Sequence, residues 1–135
     1  MARSITLEEA NRVIAGAIAK AEEQGTRMSI AVVDGGGRLV ALARMNGAIW
    51  ASVYGSHGKA IASAAFQRPS GFFQDMAERP IFVGIKAAEG DHMILSQGAV
   101  PITSADGEII GAVGVGGGTG QQDEDCAQAG AEAVG

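Results

Sequence analysis

The sequence contains few cysteines and prolines and no long apolar run, and each shortage excludes a class of protein. Cys126 is the single cysteine among 135 residues, so the chain has no internal disulfide, as is usual in a reducing cytoplasm. Only 3 prolines accompany 21 glycines, and the glycines follow no three-residue period, which excludes a collagen-like chain. No run of 18 apolar residues is present, and residues 1–4 lead into a helix pattern without the apolar core of a signal peptide. We therefore expect a cytoplasmic protein with no membrane partner.

The remaining composition is that of a folded domain. Hydrophobic residues make up 47% of the chain and charged residues 19%, which provides enough apolar mass for a core and argues against disorder. The length fits one domain and leaves little room for two. We expect a single domain that spans residues 1–135.

Charge is distributed unevenly along the chain. The net charge is −5, but residues 1–68 carry +3 and residues 69–135 carry −8. No cluster of Lys and Arg is interleaved with aromatic residues, so nucleic acid is not an expected partner. The asymmetry indicates either two differently charged surfaces of one domain or head-to-tail charge pairing between subunits.

The first element is an amphipathic helix over residues 7–24. Thr6 and Glu9 form a capping-box pattern, apolar residues then recur at helical spacing, and Gly25 ends the helix. Next comes a predicted hairpin, in which strands 28–34 and 38–44 flank the turn Gly35–Gly37.

The middle of the chain is dominated by small residues. These predict a helix over residues 56–66 that packs at very close range, or one broken near Gly55 and Gly58. A short helix capped by Ser70 follows, and residues 80–92 are predicted to form a loop.

The last third returns to β structure and closes with a helix. Strands are predicted at 93–96, 99–103 and 108–115, and a helix at 121–134. Five strands with helices before, between and after them predict an α+β domain.

A glycine-rich run, residues 114–120, lies between the last strand and the last helix. Backbone N–H groups at such a place can hold a phosphate or carboxylate. The spacing, however, is neither G-x-G-x-x-G nor that of a P-loop, and Asp123, Glu124 and Asp125 would repel a phosphate. The alternatives are a tight strand-to-helix crossing, close approach of a neighbouring subunit, or a small ligand on the backbone near Gly116 and Thr119.

Three spaced segments resemble the GlcG/HbpS-like family, whose members are often labelled haem-binding or haem-degrading. These are Ile30–Gly36, the Lys59–Ser70 segment with its Arg68-Pro69-Ser70, and residues 101–115 followed by Gln122-Asp123-Glu124. The resemblance covers essentially the whole chain. It implies a profilin-like sandwich, with a five-stranded antiparallel sheet flanked by helices, and homo-oligomers built from dimers. It also implies that haem, or another planar cofactor, is a candidate ligand.

The candidate site residues centre on His57. His57 and Lys59 lie in a small-residue segment with Tyr54 nearby, and a neighbouring glycine leaves room for a ligand. An imidazole can ligate haem or act as acid and base near neutral pH. His92, Met93 and Met45 are further donors, and Arg44 or Lys59 could neutralise a carboxylate. The two histidines form no recognisable metal motif, so no metal site is expected. Surface or interface roles remain the alternative for both histidines.

Two further residues have simpler interpretations. Asp34 precedes the glycine turn and is expected to bond its backbone N–H groups. Cys126 has no histidine neighbour in sequence and is expected to be inert packing.

Three functions remain open from the sequence. The first is a small oligomeric protein that binds haem or a similar ligand near His57 and is accessory to a catabolic pathway. The second is a purely structural or accessory subunit. The third is an enzyme acting on a small organic acid, with His57 as acid and base and Arg44 or Lys59 orienting the carboxylate.

Overall fold

The structure is a computed structural model that describes residues 3–135. Its elements, in chain order, are α1 (Leu7–Gln24), β1 (Ser29–Asp34), β2 (Leu39–Arg44), α2 (Ala51–Phe66), the 3-10 helix η1 (Ser70–Met76), α3 (Pro80–Ala88), β3 (Ala99–Thr103), β4 (Ile109–Gly116) and α4 (Gly120–Glu132).

The sheet is antiparallel throughout, with the order β2-β1-β4-β3. It has four strands within residues 3–135, so the expected count of five is wrong. The predicted strand at 93–96 is instead an extended segment that runs along α2, where the Ile94 N–H donates to the Gly58 carbonyl at 3.0 Å. An apolar extended segment can therefore satisfy its hydrogen bonds on a helix without joining the sheet.

Helices α1 and α4 cover one face of the sheet. The capping box of α1 is present as predicted, because Thr6 Oγ1 accepts from the Glu9 N–H and the Glu9 carboxylate accepts from the Thr6 N–H. The helix ends at Gly25, whose φ of 76° lies in the left-handed region. Ile30 and Val32 of β1 and Val113 and Val115 of β4 point toward this side and form the main core with the two helices.

Helix α2 lies on the other face, and only small side chains separate it from the strands. It runs unbroken from Ala51 to Phe66, so it begins more than one turn before the start of the helix predicted over 56–66. A Cβ atom placed on Gly114 would collide with the Ser56 carbonyl oxygen and lie 2.7 Å from the Ala60 nitrogen. The close packing expected from the small residues is thus present, and Gly114 is required for it.

The segment expected to be a loop, residues 80–92, contains helix α3. Proline at its first position suits a helix start, because the missing N–H has no intrahelical acceptor there. None of its nine residues is buried, although Phe82 and Ile85 pack on a satellite cluster with Phe73 and Met93. Gly84, Gly90 and the charged residues indicated a loop, whereas residues 80–88 form a helix.

Within residues 3–135 no helix is long and apolar enough to cross a membrane.

Candidate functional site

The candidate site is a half-open pocket of about 260 Å³ beside the middle of α2. Tyr54, His57 and Gly58 line it from α2, and Asp91, His92 and Ile94 line it from the segment after α3. Positions i, i+3 and i+4 share one face of a helix, which explains why the three α2 residues meet there.

Backbone conformation brings His92 to this face. Gly90 and Asp91 have φ values of 75° and 61°, a left-handed pair that turns the chain from α3 back across α2. Gly58 then allows the crossing, because a Cβ there would lie 2.5 Å from Ile94 Cγ1 and 2.8 Å from the His92 carbonyl oxygen. The two histidines, 35 positions apart in sequence, therefore line one pocket.

The two imidazoles differ in environment. His57 is half-buried and His92 is exposed. Burial lowers the pKa of His57 below its usual 6.5, and the nearby His92 lowers it further. His57 is therefore neutral at pH 7, the form that donates a lone pair to a metal centre or accepts a proton.

An exposed aromatic pair adjoins the pocket. Tyr54 and Trp50 lie one helical turn apart with ring centroids 6.1 Å apart in an edge-to-face arrangement. Each side chain is 69% exposed, so both rings present apolar surface to solvent next to His57.

Lys59 lies in the interior rather than in the pocket. Its Nζ is 2.9 Å from Asp123 Oδ2 and donates to the Gln97 carbonyl at 3.3 Å, and both ion-pair side chains are nearly inaccessible. The other oxygen of Asp123 accepts from the Gly118 N–H at 2.9 Å. The pair ties α2 to the start of α4 and to the glycine-rich loop.

The structure also places Arg44, Met93, Gly116 and Thr119 outside the His57 pocket. Arg44 is exposed at the end of β2, and buried Met93 lines a different cavity with Ile61. Thr119 is the N-cap of α4, where its hydroxyl accepts from the Gln122 N–H.

Gly116 has a packing role at the end of β4. A Cβ on Gly116 would lie 3.0 Å from the Ser52 carbonyl oxygen of α2. The tight crossing, one of the three alternatives for the glycine-rich run, is therefore present, and Asp123 already occupies one of the N–H groups of the run.

Two simpler expectations are confirmed. Asp34 Oδ1 accepts from the N–H groups of Gly36 and Arg38 in the hairpin turn. Cys126 is buried, as expected for a packing residue, and burial with the nearby Asp123 raises its pKa to about 11, which disfavours the thiolate form at neutral pH.

Sequence reasoning placed a glycine beside His57 in the site, which is Gly58, but it did not place Asp91 or Ile94 there. A local signal for Asp91 was its position after Gly90, since Gly-Asp pairs favour left-handed turns. Nothing local indicated that the segment 91–94 crosses α2. Among residues 3–135, no three His, Cys, Asp or Glu side chains form a group that could hold a metal ion.

Comparison with known proteins identifies the family. A family model described as "Haem degrading protein HbpS-like" matches residues 5–132. The chain belongs to the HbpS-like family. Protein GlcG of Escherichia coli (strain K12), a relative in sequence, is 36% identical over 112 residues, which cover 82% of this chain and 80% of GlcG.

Solved structures with the same fold agree with the HbpS-like assignment. Protein ORFY of Klebsiella pneumoniae superposes with a TM-score of 0.88 at 27% identity, covering 99% of this chain and 92% of ORFY. A double mutant of HbpS from Streptomyces reticuli superposes with a TM-score of 0.85 at 26% identity, covering 100% of this chain and 90% of HbpS.

Proposed function

We propose that this HbpS-like protein binds haem or a similarly planar small ligand, with His57 as the residue that contacts it. The observation that carries the proposal is the neutral, half-buried imidazole of His57 in a pocket beside an exposed aromatic pair. The description of the family as haem-degrading supports the ligand class.

The pocket can enclose only part of such a ligand. A pocket of about 260 Å³ is at the small end of ligand sites, which usually measure roughly 300–1,000 Å³. The pocket is therefore suited to one edge of a planar ligand, and the remainder would lie on the exposed rings of Trp50 and Tyr54. A bound haem would supply redox chemistry at its iron, which an imidazole donor can ligate.

The charges of the pocket limit what else it recognises. Asp91 is its one acidic residue among the described lining residues, and no Lys or Arg lines it. A carboxylate substrate would therefore find no lysine or arginine partner there. For this reason we do not extend the proposal to catalysis on an organic acid, and the pathway that the protein serves stays open.

We further propose that the protein forms homo-oligomers in the cytoplasm. Ile81 and Val83 of α3 are 64% and 45% exposed, and Ile49 and Trp50 before α2 are 66% and 69% exposed. A short helix without a buried residue is marginal by itself, so contact with a second subunit would stabilise α3. Sedimentation equilibrium at micromolar concentration tests this, and a monomer would refute it.

The test of ligand binding is a titration with hemin followed by its Soret absorption. We expect a saturable shift for the wild type and for Asn11→Ala, an exposed control on α1. His57→Ala should weaken binding by more than roughly tenfold, or about 1.4 kcal/mol. Equal affinities for wild type and His57→Ala, with both folded by circular dichroism, would refute the role of His57.

A further inference from the structure

A second cavity, of about 400 Å³, lies at the opposite end of α2 from the exposed aromatic pair. It is bordered by the last turn of α2, the end of α3 and the hairpin turn of β1 and β2. Its lining includes the turn Gly35–Gly37, Ile61, Ile85, Ala88, Glu89 and Met93. Its volume is within the usual range of small-molecule sites.

Part of the wall of this cavity is apolar and is formed by Ile61, Ile85 and Met93. Ile61 and Met93 are 4% and 5% exposed, and Ile85 packs on the same satellite cluster. Burial of a small hydrocarbon group against them is favourable by roughly 25 cal/mol per Å² of apolar surface removed from water.

Two helix C-termini meet at the cavity. The C-terminal end of a helix carries partial negative charge on carbonyl groups that lack intrahelical partners. In α2 the carbonyl of Ala65 lacks an intrahelical donor, because the residue four positions later is Pro69, which has no N–H. Neither Ala64 nor Ala65 accepts a hydrogen bond at its carbonyl from the residues that follow the helix in the described chain. Ala88 and Glu89, at the C-terminal end of α3, also line the cavity.

Among residues 3–135, the lining also contains one acidic residue, Glu89, and no Lys, Arg or His. Glu89 Oε1 accepts from Arg38 at 2.7 Å, while Oε2 accepts no hydrogen bond from residues 3–135. The side chain of Arg38 is 70% exposed, so the pair lies at the surface, where such pairs contribute little and rearrange readily. Glu89 is thus free to take a second cationic partner.

We propose that this cavity binds a small organic ammonium, with its apolar group on Ile61, Met93 and Ile85 and its charge toward Glu89 and the helix ends. The site is separate from the His57 pocket and does not depend on the haem proposal, since the two pockets share no lining residue.

The experiment compares three probes of one shape by amide NMR. Benzylammonium, benzyl alcohol and benzoate carry a positive, neutral and negative group on the same ring. We expect benzylammonium to shift the amides of Gly35–Gly37 and Glu89 in a saturable way, benzyl alcohol to bind more weakly, and benzoate not to bind. Absence of saturable shifts, shifts confined to other parts of the chain, or equal binding of benzoate would overturn the proposal.

Matched variants separate the effect of the Glu89 charge from the effect of cavity volume. Glu89→Gln should weaken benzylammonium binding roughly two- to fivefold, the range of a surface ion pair, while Glu78→Gln, an exposed acid outside the cavity, should leave it unchanged. Ala88→Leu places a larger side chain in the cavity and should abolish binding. Ala87→Leu, one position earlier on the exposed surface, should not. Unaltered binding in both Glu89→Gln and Ala88→Leu would refute the assigned site.

Discussion

Replacement of Lys59 by methionine should destabilise the protein strongly and leave ligand binding unchanged. Methionine keeps much of the apolar stem of lysine but removes the ammonium that pairs with Asp123 at 2.9 Å. In Lys59→Met, Asp123 retains the Gly118 N–H on one oxygen and loses the partner of the other. Breaking a buried ion pair by removal of one partner costs about 3–5 kcal/mol.

That cost is large compared with the stability of a domain. Typical domains unfold with about 5–15 kcal/mol, so the loss removes a third or more of an average value. For a chain of this size it corresponds to a fall in melting temperature of roughly 10–20 °C. Urea denaturation followed by circular dichroism measures it, and the slope of the transition shows whether two-state behaviour is kept.

The double variant supplies the internal control. Asparagine at 123 still accepts from the Gly118 N–H but carries no charge, so Lys59→Met/Asp123→Asn no longer buries an unpaired ion. We expect it to be more stable than Lys59→Met by about 2 kcal/mol. With Asp123→Asn measured as the other single variant, the effects should be non-additive, as is usual for contacting residues. A cost below about 1 kcal/mol for Lys59→Met, or strictly additive effects, would refute the reasoning.

Hemin affinity distinguishes the structural role from a ligand role. Measured well below the melting temperature, the affinity of Lys59→Met should equal that of the wild type, because Lys59 does not line the His57 pocket. A folded Lys59→Met variant with lost affinity would show instead that the lysine acts on the ligand.

Three further predictions follow from single sites. Cys126 should resist iodoacetamide at pH 8 in the native protein and react after unfolding, since its pKa is raised to about 11; fast native labelling would contradict its burial. Gly114→Ala should cost about 1–3 kcal/mol or more in urea denaturation because its Cβ meets the backbone of α2, and a neutral effect would contradict the close packing. Because the pKa of His57 is lowered in the folded protein, the unfolded chain binds a proton more readily at this residue. His57 therefore does not reduce the free energy of unfolding above pH 6.5, and that free energy falls as the pH drops through 6.5 toward the folded-state pKa. His57→Gln should reduce that acid loss in urea titrations at several pH values, and an identical pH profile would contradict the assignment.

Elements with strong local signals were predictable from the sequence. The capping box of Thr6 and Glu9 and the terminating Gly25 define α1 within a residue, because caps and apolar period act locally. The turn of Asp34 and its glycines was predictable for the same reason.

Elements that depend on distant partners or lack strong local signals were not predictable from the sequence. Residues 93–96 have the composition of a strand, but an apolar extended segment pairs wherever acceptors are available, and here the acceptor is the Gly58 carbonyl of α2. Helix α3 was not predicted because no side chain caps its N-terminus and because its short apolar run is followed by glycine and charged residues. The first error arises from a tertiary contact that a local pattern does not contain, and the second arises from weak local signals.

The candidate site shows the same division. Tyr54, His57 and the adjacent glycine are near in sequence and share a helix face, so their grouping was predictable. His92 reaches them only through the left-handed turn at Gly90 and Asp91. The ionic partner of Lys59 is 64 positions away, and no spacing rule connects it with Asp123.

The most direct test of the His57 assignment is the resonance Raman spectrum of the reduced hemin complex, which detects an iron–imidazole bond. The spectrum is recorded with natural histidine and with ring-¹⁵N-labelled histidine, for wild type, His57→Ala and His92→Ala. We predict an iron–imidazole band that shifts with the label in wild type and His92→Ala and is missing from His57→Ala. A labelled band that persists in His57→Ala would contradict the account.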